Sequence, residues 1–203
     1  MFTELQKTDI LAAKEVLLDN LIPFDNLFHV FCADIKLTES IWKSNVFVSG
    51  GAIASILQKE KPKDIDIYFN QEPVAINLIN WIKSNRPEFI DTVDKKYSET
   101  VGVDGKLITT NATTLLLSNT ILNGNVKIQL ITRHYGSVED ITSSFDFIHC
   151  CTSFKFDDKK LYISPKQYDC IVNKRLLINN HNSLTDKRIR KFTDRGYRYV
   201  NTY

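Results

Sequence analysis

Two aspartates and two glycines are the residues of this chain whose types and spacing could do chemistry. The stretch from Asn45 to Phe69 reads NVFVSGGAIASILQKEKPKDIDIYF. Asn45 to Val48 is a short apolar run, Ser49-Gly50-Gly51 a turn, Ala52 to Lys59 a helix and Asp64 to Phe69 a second strand. Successive strand side chains point to opposite faces, so Asp64 and Asp66 share one face while Ile65 and Ile67 fill the other. Carboxylates about 7 Å apart along a strand can converge on Mg²⁺ or Mn²⁺. Hard cations of this kind bind through a few carboxylates plus substrate phosphates. Paired glycines let the backbone approach a phosphate, and a following helix N-terminus favours anions. Neighbouring strand ends thus offer a metal grip (Asp64, Asp66) and a phosphate grip (Ser49, Gly50, Gly51).

The stretch resembles the signature of the nucleotidyltransferase superfamily, the fold of polymerase β, CCA-adding enzymes and poly(A) polymerases. That signature is an apolar strand, Gly-Gly or Gly-Ser, a helix, then Asp-apolar-Asp. Pro62-Lys63-Asp64-Ile65-Asp66 is similar to the Pro-x-Asp-x-Asp of CCA-adding enzymes and lies at a similar distance from the glycines. The resemblance implies an α+β fold, a mixed β-sheet flanked by helices, with an NTP as substrate and divalent metal as cofactor. It also implies roles: Asp64 and Asp66 as catalytic metal ligands, and Ser49, Gly50 and Gly51 as holders of the β- and γ-phosphates.

Members of that superfamily add a third carboxylate on a strand beside the Asp-x-Asp strand. Here the candidate strand is Val126 to Ile131, whose alternation puts Lys127, Gln129 and Ile131 on one face. Gln129 occupies the third position, and a neutral amide cannot supply the missing charge. The run Lys127 to Ile131, with the later Phe145-Asp146 pair, is similar to phage and other viral proteins of this broad type. That makes Asp146 a candidate third carboxylate from another element; a turn or helix-end residue is the other reading. A second departure lies in the helix, where Ala54 and Ser55 stand in place of the Arg-Asp of CCA-adding enzymes. An ordinary tRNA-repair activity is therefore not expected.

Other elements must position these residues. Thr3 to Asn20 has helical apolar spacing and is expected to end near Pro23, with a second helix over Phe24 to Phe31 capped by Asp25. Thr38 to Ser44 reads as a short helix or turn, and Glu72-Pro73 opens a helix to Ser84. An Asp104-Gly105 turn follows, and Lys106 to Thr110 pairs nearby. Thr113 to Leu122 and Asn125 to Thr132, joined at Asn123-Gly124, form the clearest hairpin. Ser137 opens a short helix to Ser144. Phe145 to Phe156 and Lys160 to Ile163 suggest a second hairpin. Ser164-Pro165 caps a helix to Leu177, and Thr185 to Tyr199 is a last one. His29, in an aromatic run, is expected to be packed and satisfied.

The 203 residues suit a single domain: a helical segment 1–44, a catalytic-type core 45–165 and a basic helical segment 166–203. At 43% hydrophobic and 25% charged the chain can build an ordinary core. No apolar run of membrane-spanning length is apparent, and the acidic, amphipathic start is unlike a secretory signal. Cys32, Cys150, Cys151 and Cys170 match no zinc or redox spacing, so they read as reduced core residues of a cytoplasmic protein. From Ile171 to Tyr203, eight Lys/Arg face two Asp, a net of +6 that leaves −4 elsewhere. Arg188, Lys191 and Arg195 recur at helical spacing and could contact RNA phosphates, with Tyr197 and Tyr199 stacking bases. A solvated helix face is the plainer reading.

The expected function is transfer of a nucleoside monophosphate from an NTP to a hydroxyl of RNA, a protein or a small molecule. The alternatives are a catalytically weak or inactive protein of this fold that binds RNA or a protein partner, and a nucleotide binder without transfer.

Overall fold

The structure, a computed structural model, describes residues 1–91 and 112–200. The expected Asp104-Gly105 turn and the segment Lys106 to Thr110 lie outside the described residues.

Helix α1 runs unbroken from Glu4 to Asp34, with Pro23 inside it. Thr3 and Gln6 form a reciprocal capping box at its start. The expected break at Pro23 does not occur, for an energetic reason. An interior proline costs about 3 kcal/mol. Burying Phe24, Phe28 and Phe31, each 2% exposed or less, gains roughly 1.5–3 kcal/mol apiece. Phe31 meets Trp42 and Trp81 edge-on at 4.8 and 5.5 Å, and the Trp81 indole donates to Asp34. By length and composition alone α1 is long and apolar enough to cross a membrane, contrary to the expectation from its sequence. In this fold its Leu17, Leu21 and Phe24 are core.

The remaining helices are α2 (Glu39–Lys43), α3 (Gly51–Leu57), α4 (Glu72–Asn85), α5 (Val138–Ser143), α6 (Pro165–Val172) and α7 (Asp186–Thr193). The strands are β1 (Val46–Ser49), β2 (Ile65–Phe69), β3 (Ala112–Asn119), β4 (Gly124–Tyr135), β5 (Ser153–Lys155), β6 (Lys160–Tyr162), β7 (Arg175–Leu176) and β8 (Arg198–Tyr199). Six of them form one mixed sheet in the order β3-β4-β2-β1-β5-β6. β2 and β4 run parallel, and the other neighbours are antiparallel. This is the expected α+β architecture.

The sheet's two faces differ. Val46, Val48, Ile65, Ile67, Phe69, Ile128 and Leu130 are buried on one face with α1, α3 and α4. On the other, Phe47 and Tyr68 stack at 5.7 Å and gather Ile131, Ile141 and Phe145. That cluster covers only part of the face. Because side chains alternate, Asp64 and Asp66 continue the Tyr68 row into the uncovered part.

Several expected elements are shorter than their sequence pattern. Only Ser153–Lys155 of the Phe145-to-Phe156 run is strand, and Ile148–Cys150 forms a 3₁₀ turn. The helix from Pro165 stops at Val172, not Leu177. The last helix stops at Thr193, not Tyr199, and the chain turns at Gly196 so that β8 pairs in parallel with β7. His29 is exposed beside Glu39, at 3.4 Å, rather than packed. All four cysteines are free thiols, and three of them are buried.

Candidate active site

β1 ends at Ser49, and the turn that follows requires glycine at its first position, Gly50. Gly50 has φ +100° and ψ −155°, a conformation that side chains rarely adopt. A Cβ there would also sit 3.4 Å from Oδ2 of Asp66. The turn therefore brings the start of α3 against the acidic strand. A Cβ on Gly51 would meet nothing within 4 Å, so this backbone faces open space. Gly50 N–H donates to the Cys150 carbonyl, which fixes the turn and removes that donor from phosphate binding.

Asp64 and Asp66 line one cleft of about 460 Å³ together with Gly50, Gly51, Ser55, Lys63 and Tyr68. Neither aspartate makes a hydrogen bond or ion pair within the described residues. Burial, and then the nearby charge of Asp64, raise the Asp66 carboxyl to about 7, while Lys191 and Arg188 pull it back. An Asp66 carboxylate whose charge is disfavoured, with a second carboxylate beside it, suits a divalent cation, whose positive charge would favour its ionised form. Among the described residues no group of three His, Cys, Asp or Glu is arranged to hold a metal.

The third position is filled as the alternation suggests. Gln129 is the register partner of Asp66 on the parallel strand β4, half-buried on the same face. Thr114 of β3 is in turn the partner of Gln129.

Asp146 does not join the acid pair. Its side chain is 2% exposed and binds Arg188 through both carboxylate oxygens, to Nε and, at 2.9 Å, to Nη2. Asp146 is thus a support for Arg188, which lines the cleft while Asp146 does not. Ser49 is also turned away. Its fully buried hydroxyl donates to the Thr152 carbonyl at 2.7 Å, so it is no phosphate ligand.

Helix α7, read from the sequence as a candidate RNA contact or a solvated face, borders the cleft in the fold. Thr185 caps it, and Phe192 anchors it against Phe147, His149 and Tyr197. Arg188, Lys191 and Arg195 all line the cleft. Arg195 donates to Ser55 Oγ at 2.8 Å and lies 3.7 Å from Glu60. Lys191 forms no ion pair within the described residues. Tyr197 cannot stack on a base as expected, since it is 4% exposed and its hydroxyl accepts from Gln58. Tyr199 is exposed, on β8.

The sequence reading passed over Ser55, Lys63 and Tyr68 as site residues. Tyr68 carried a signal, being two residues beyond Asp66 on the same face. It also passed over His149, which is fully buried among aromatic rings with both ring nitrogens unpartnered. Burial lowers that imidazole to about 3, so it is neutral at ordinary pH.

The fold has counterparts among solved structures. A CCA-adding enzyme solved with ATP aligns over 93% of this chain and 40% of its own, with a TM-score of 0.56 and 17% identity. A CCA-adding enzyme complex with CTP aligns over 90% and 41%, with a TM-score of 0.55 and 18% identity. The fold is thus nucleotidyltransferase-like. Among curated relatives, an uncharacterized protein of Acanthamoeba polyphaga mimivirus is 24% identical over 94% of this chain. The protein named Gabija anti-defense 2 of Bacillus phage SPbetaL7 is 23% identical over 80%. The chain spans only 42% and 36% of the lengths of these two relatives. Residues 23–174, more than half of the chain, match the Gabija anti-defense 2 family, and the chain belongs to that family.

Proposed function

We propose that the cleft transfers a nucleoside monophosphate from an NTP to a hydroxyl. One observation carries this reading: an acid pair without a partner among the described residues and a Gly-Gly turn share a cleft with Arg188 and Lys191 of α7 and Arg195 just beyond it. Asp64 and Asp66 would hold Mg²⁺ or Mn²⁺, which when bound neutralises charge on the phosphates. The open backbone at Gly51 gives the triphosphate its approach. Arg188, Lys191 and Arg195 stabilise the charge that gathers on the departing pyrophosphate. The attacking hydroxyl forms an O–P bond to the α-phosphorus as the bond to pyrophosphate breaks, and its proton passes to water. The family name and the phage relative support a role in countering the Gabija defence, for which this transfer would be the chemistry.

Gln129 favours a second reading, a binding module with little or no turnover. A neutral side chain beside Asp66 leaves the site short of one charge for a second metal. The two readings separate when the protein is incubated with each labelled NTP, Mg²⁺ or Mn²⁺, and total cellular RNA or protein. Transfer that vanishes in Asp64→Ala supports the enzyme. NTP binding with no label transferred to any acceptor supports the module.

A further inference from the structure

A second cavity of about 390 Å³ opens where the loop before β2 meets the start of β4 and the middle of α1. Its floor is made of buried side chains, Ile65, Val126 and Asn20, the last 5% exposed. Its rim is basic. Lys61 and Lys63 are exposed and form no ion pair within the described residues. Lys127 lies 3.6 Å from Asp91. None of the residues that line the cavity is acidic.

Asn20 supplies an independent pointer to a ligand. Its side-chain amide donates to the Val16 carbonyl at 2.8 Å, which fixes the side chain. Its side-chain oxygen, an acceptor, makes no hydrogen bond within the described residues. A buried acceptor is thus held at the floor, and buried polar atoms are ordinarily satisfied.

These features narrow the ligand. Two lysines without a carboxylate to offset them match a phosphate monoester, which carries about −1.5 to −2 at pH 7. A phosphodiester inside a strand carries only a single charge. An apolar floor with one placed acceptor suits a planar, partly apolar body that bears an N–H. A nucleobase is such a body; a sugar phosphate and free phosphate have none. The volume lies in the small-ligand range.

We propose that this second cavity binds a free nucleoside monophosphate. The base points inward against Ile65 and Val126 and donates an N–H to Asn20; the phosphate lies at the rim on Lys61 and Lys63. Asp64 and Asp66 line the other cleft and not this cavity, so the ligand is held rather than consumed. The site does not depend on the transfer reading above.

The test titrates the full chain by calorimetry with each of the four common ribonucleoside monophosphates, in EDTA to keep metal from the acidic cleft. One or more should bind at a single site. Inorganic phosphate and ribose 5-phosphate, with no base to bury, should bind at least about tenfold more weakly. Lys63 lines both cavities, whereas Lys61 lines only the second, so Lys61→Glu is the informative variant. This charge reversal should weaken nucleotide binding by at least about tenfold, while Lys61→Arg stays near native. Asn20→Leu should weaken it by about three- to tenfold, through the lost hydrogen bond, and leave phosphate binding unchanged. Lys61 is a surface residue, so its variants test the site even where Asn20→Leu fails to fold. Asp64→Ala should leave nucleotide binding unchanged. The absence of nucleotide binding, an unchanged affinity in Lys61→Glu, or a lost affinity in Asp64→Ala would each overturn the proposal. Inorganic phosphate binding as tightly as the nucleotides would overturn the inward placement of the base. A single-stranded RNA that displaces the nucleotide at lower concentration than the nucleotide itself would overturn the assignment to a free small molecule.

Discussion

Asp66 lines the cleft and Asp146 holds one of its cations, Arg188, and the fold treats the two acids differently. Asp146 is almost fully buried and receives two hydrogen bonds from Arg188. Asp66 is half-buried, has no hydrogen-bonding partner among the described residues and is near a second carboxylate, Asp64. A buried charge with a bidentate partner is a structural device. An unpartnered acid pushed toward neutrality in a cleft marks a site that awaits positive charge. The contrast separates the residue that should matter to turnover from the one that should matter to architecture.

The largest effect tests that separation directly. Asp64→Ala and Asp66→Ala should each lower transfer by at least about 10²–10³-fold, the scale for losing an electrostatic contact made to the transition state. Both variants should keep the native circular dichroism spectrum and melting cooperativity. A variant with full turnover would show that the acid pair is not the reacting centre.

Asp146→Ala should act on stability instead. It leaves Arg188 facing a gap in a largely buried position. Removing one partner of a buried pair costs about 3–5 kcal/mol. Because Arg188 is 43% exposed, we expect about 2–3 kcal/mol, read as a lower denaturant midpoint. Turnover should fall as well, through misplacement of Arg188, and Arg188→Ala should add little further loss in the double variant. If the two effects add fully, the pair is not a unit.

How much of this contrast was legible in the sequence follows from how local each signal is. The glycine turn and Asp-x-Asp strand lie within 25 residues of chain, and their alternation and spacing are read without knowing the rest. Gln129 was placed by the same strand rule. The role of Asp146 was not legible, because its partner lies 42 residues away. Basic helix α7 looked like a solvated face for a similar reason. Only the fold brings Phe192 into an aromatic pocket and turns Arg188, Lys191 and Arg195 toward the acids. Pro23 misled because local propensity marks a break, while the phenylalanine ladder that overrides it gains its energy only from tertiary burial. Ser49 misled because a strand's end residue can face either way, and here it faces Thr152.

A smaller effect sharpens the electrostatic half of the comparison. The Asp66 carboxyl titrates at about 7 in the fold, against an ordinary 3.8. The folded state holds this proton more tightly than the unfolded chain does. The stabilisation is therefore fully present below about pH 4 and is lost as pH rises through about 7. Metal-free Asp66→Asn should be more stable than the native chain at pH 8, by about 1–3 kcal/mol once the raised carboxyl is discounted for solvent access. The difference should vanish near pH 4. Mg²⁺ affinity of the native chain should rise between pH 6 and 8 as the metal displaces the proton. A stability difference that does not change with pH would mean Asp66 already has a cationic partner.

The smallest expected change in fold energy, and the one that decides between enzyme and module, is Gln129→Asp. Gln129 is half-buried on an existing strand, so the shorter side chain fits without overpacking. In the metal-free protein a third carboxylate beside Asp66 should raise the Asp66 carboxyl further, because like charges disfavour each other's ionisation. With metal the sign reverses. Two divalent cations carry four positive charges; Asp64 and Asp66 offset two of these, and the triphosphate offsets more. The nucleotide-side cation shares its ligands with phosphate and should bind readily in the native chain. The cation serving the attacking hydroxyl is the one short of ligands. Gln129→Asp should then leave NTP affinity nearly unchanged, steepen the dependence of turnover on Mg²⁺ and raise turnover. If metal titration calorimetry shows the same stoichiometry for both proteins and turnover does not move, the amide at 129 is not what limits the site. The contrast between an unpartnered Asp66 and a partnered Asp146 would then describe a binding cleft rather than a reacting one.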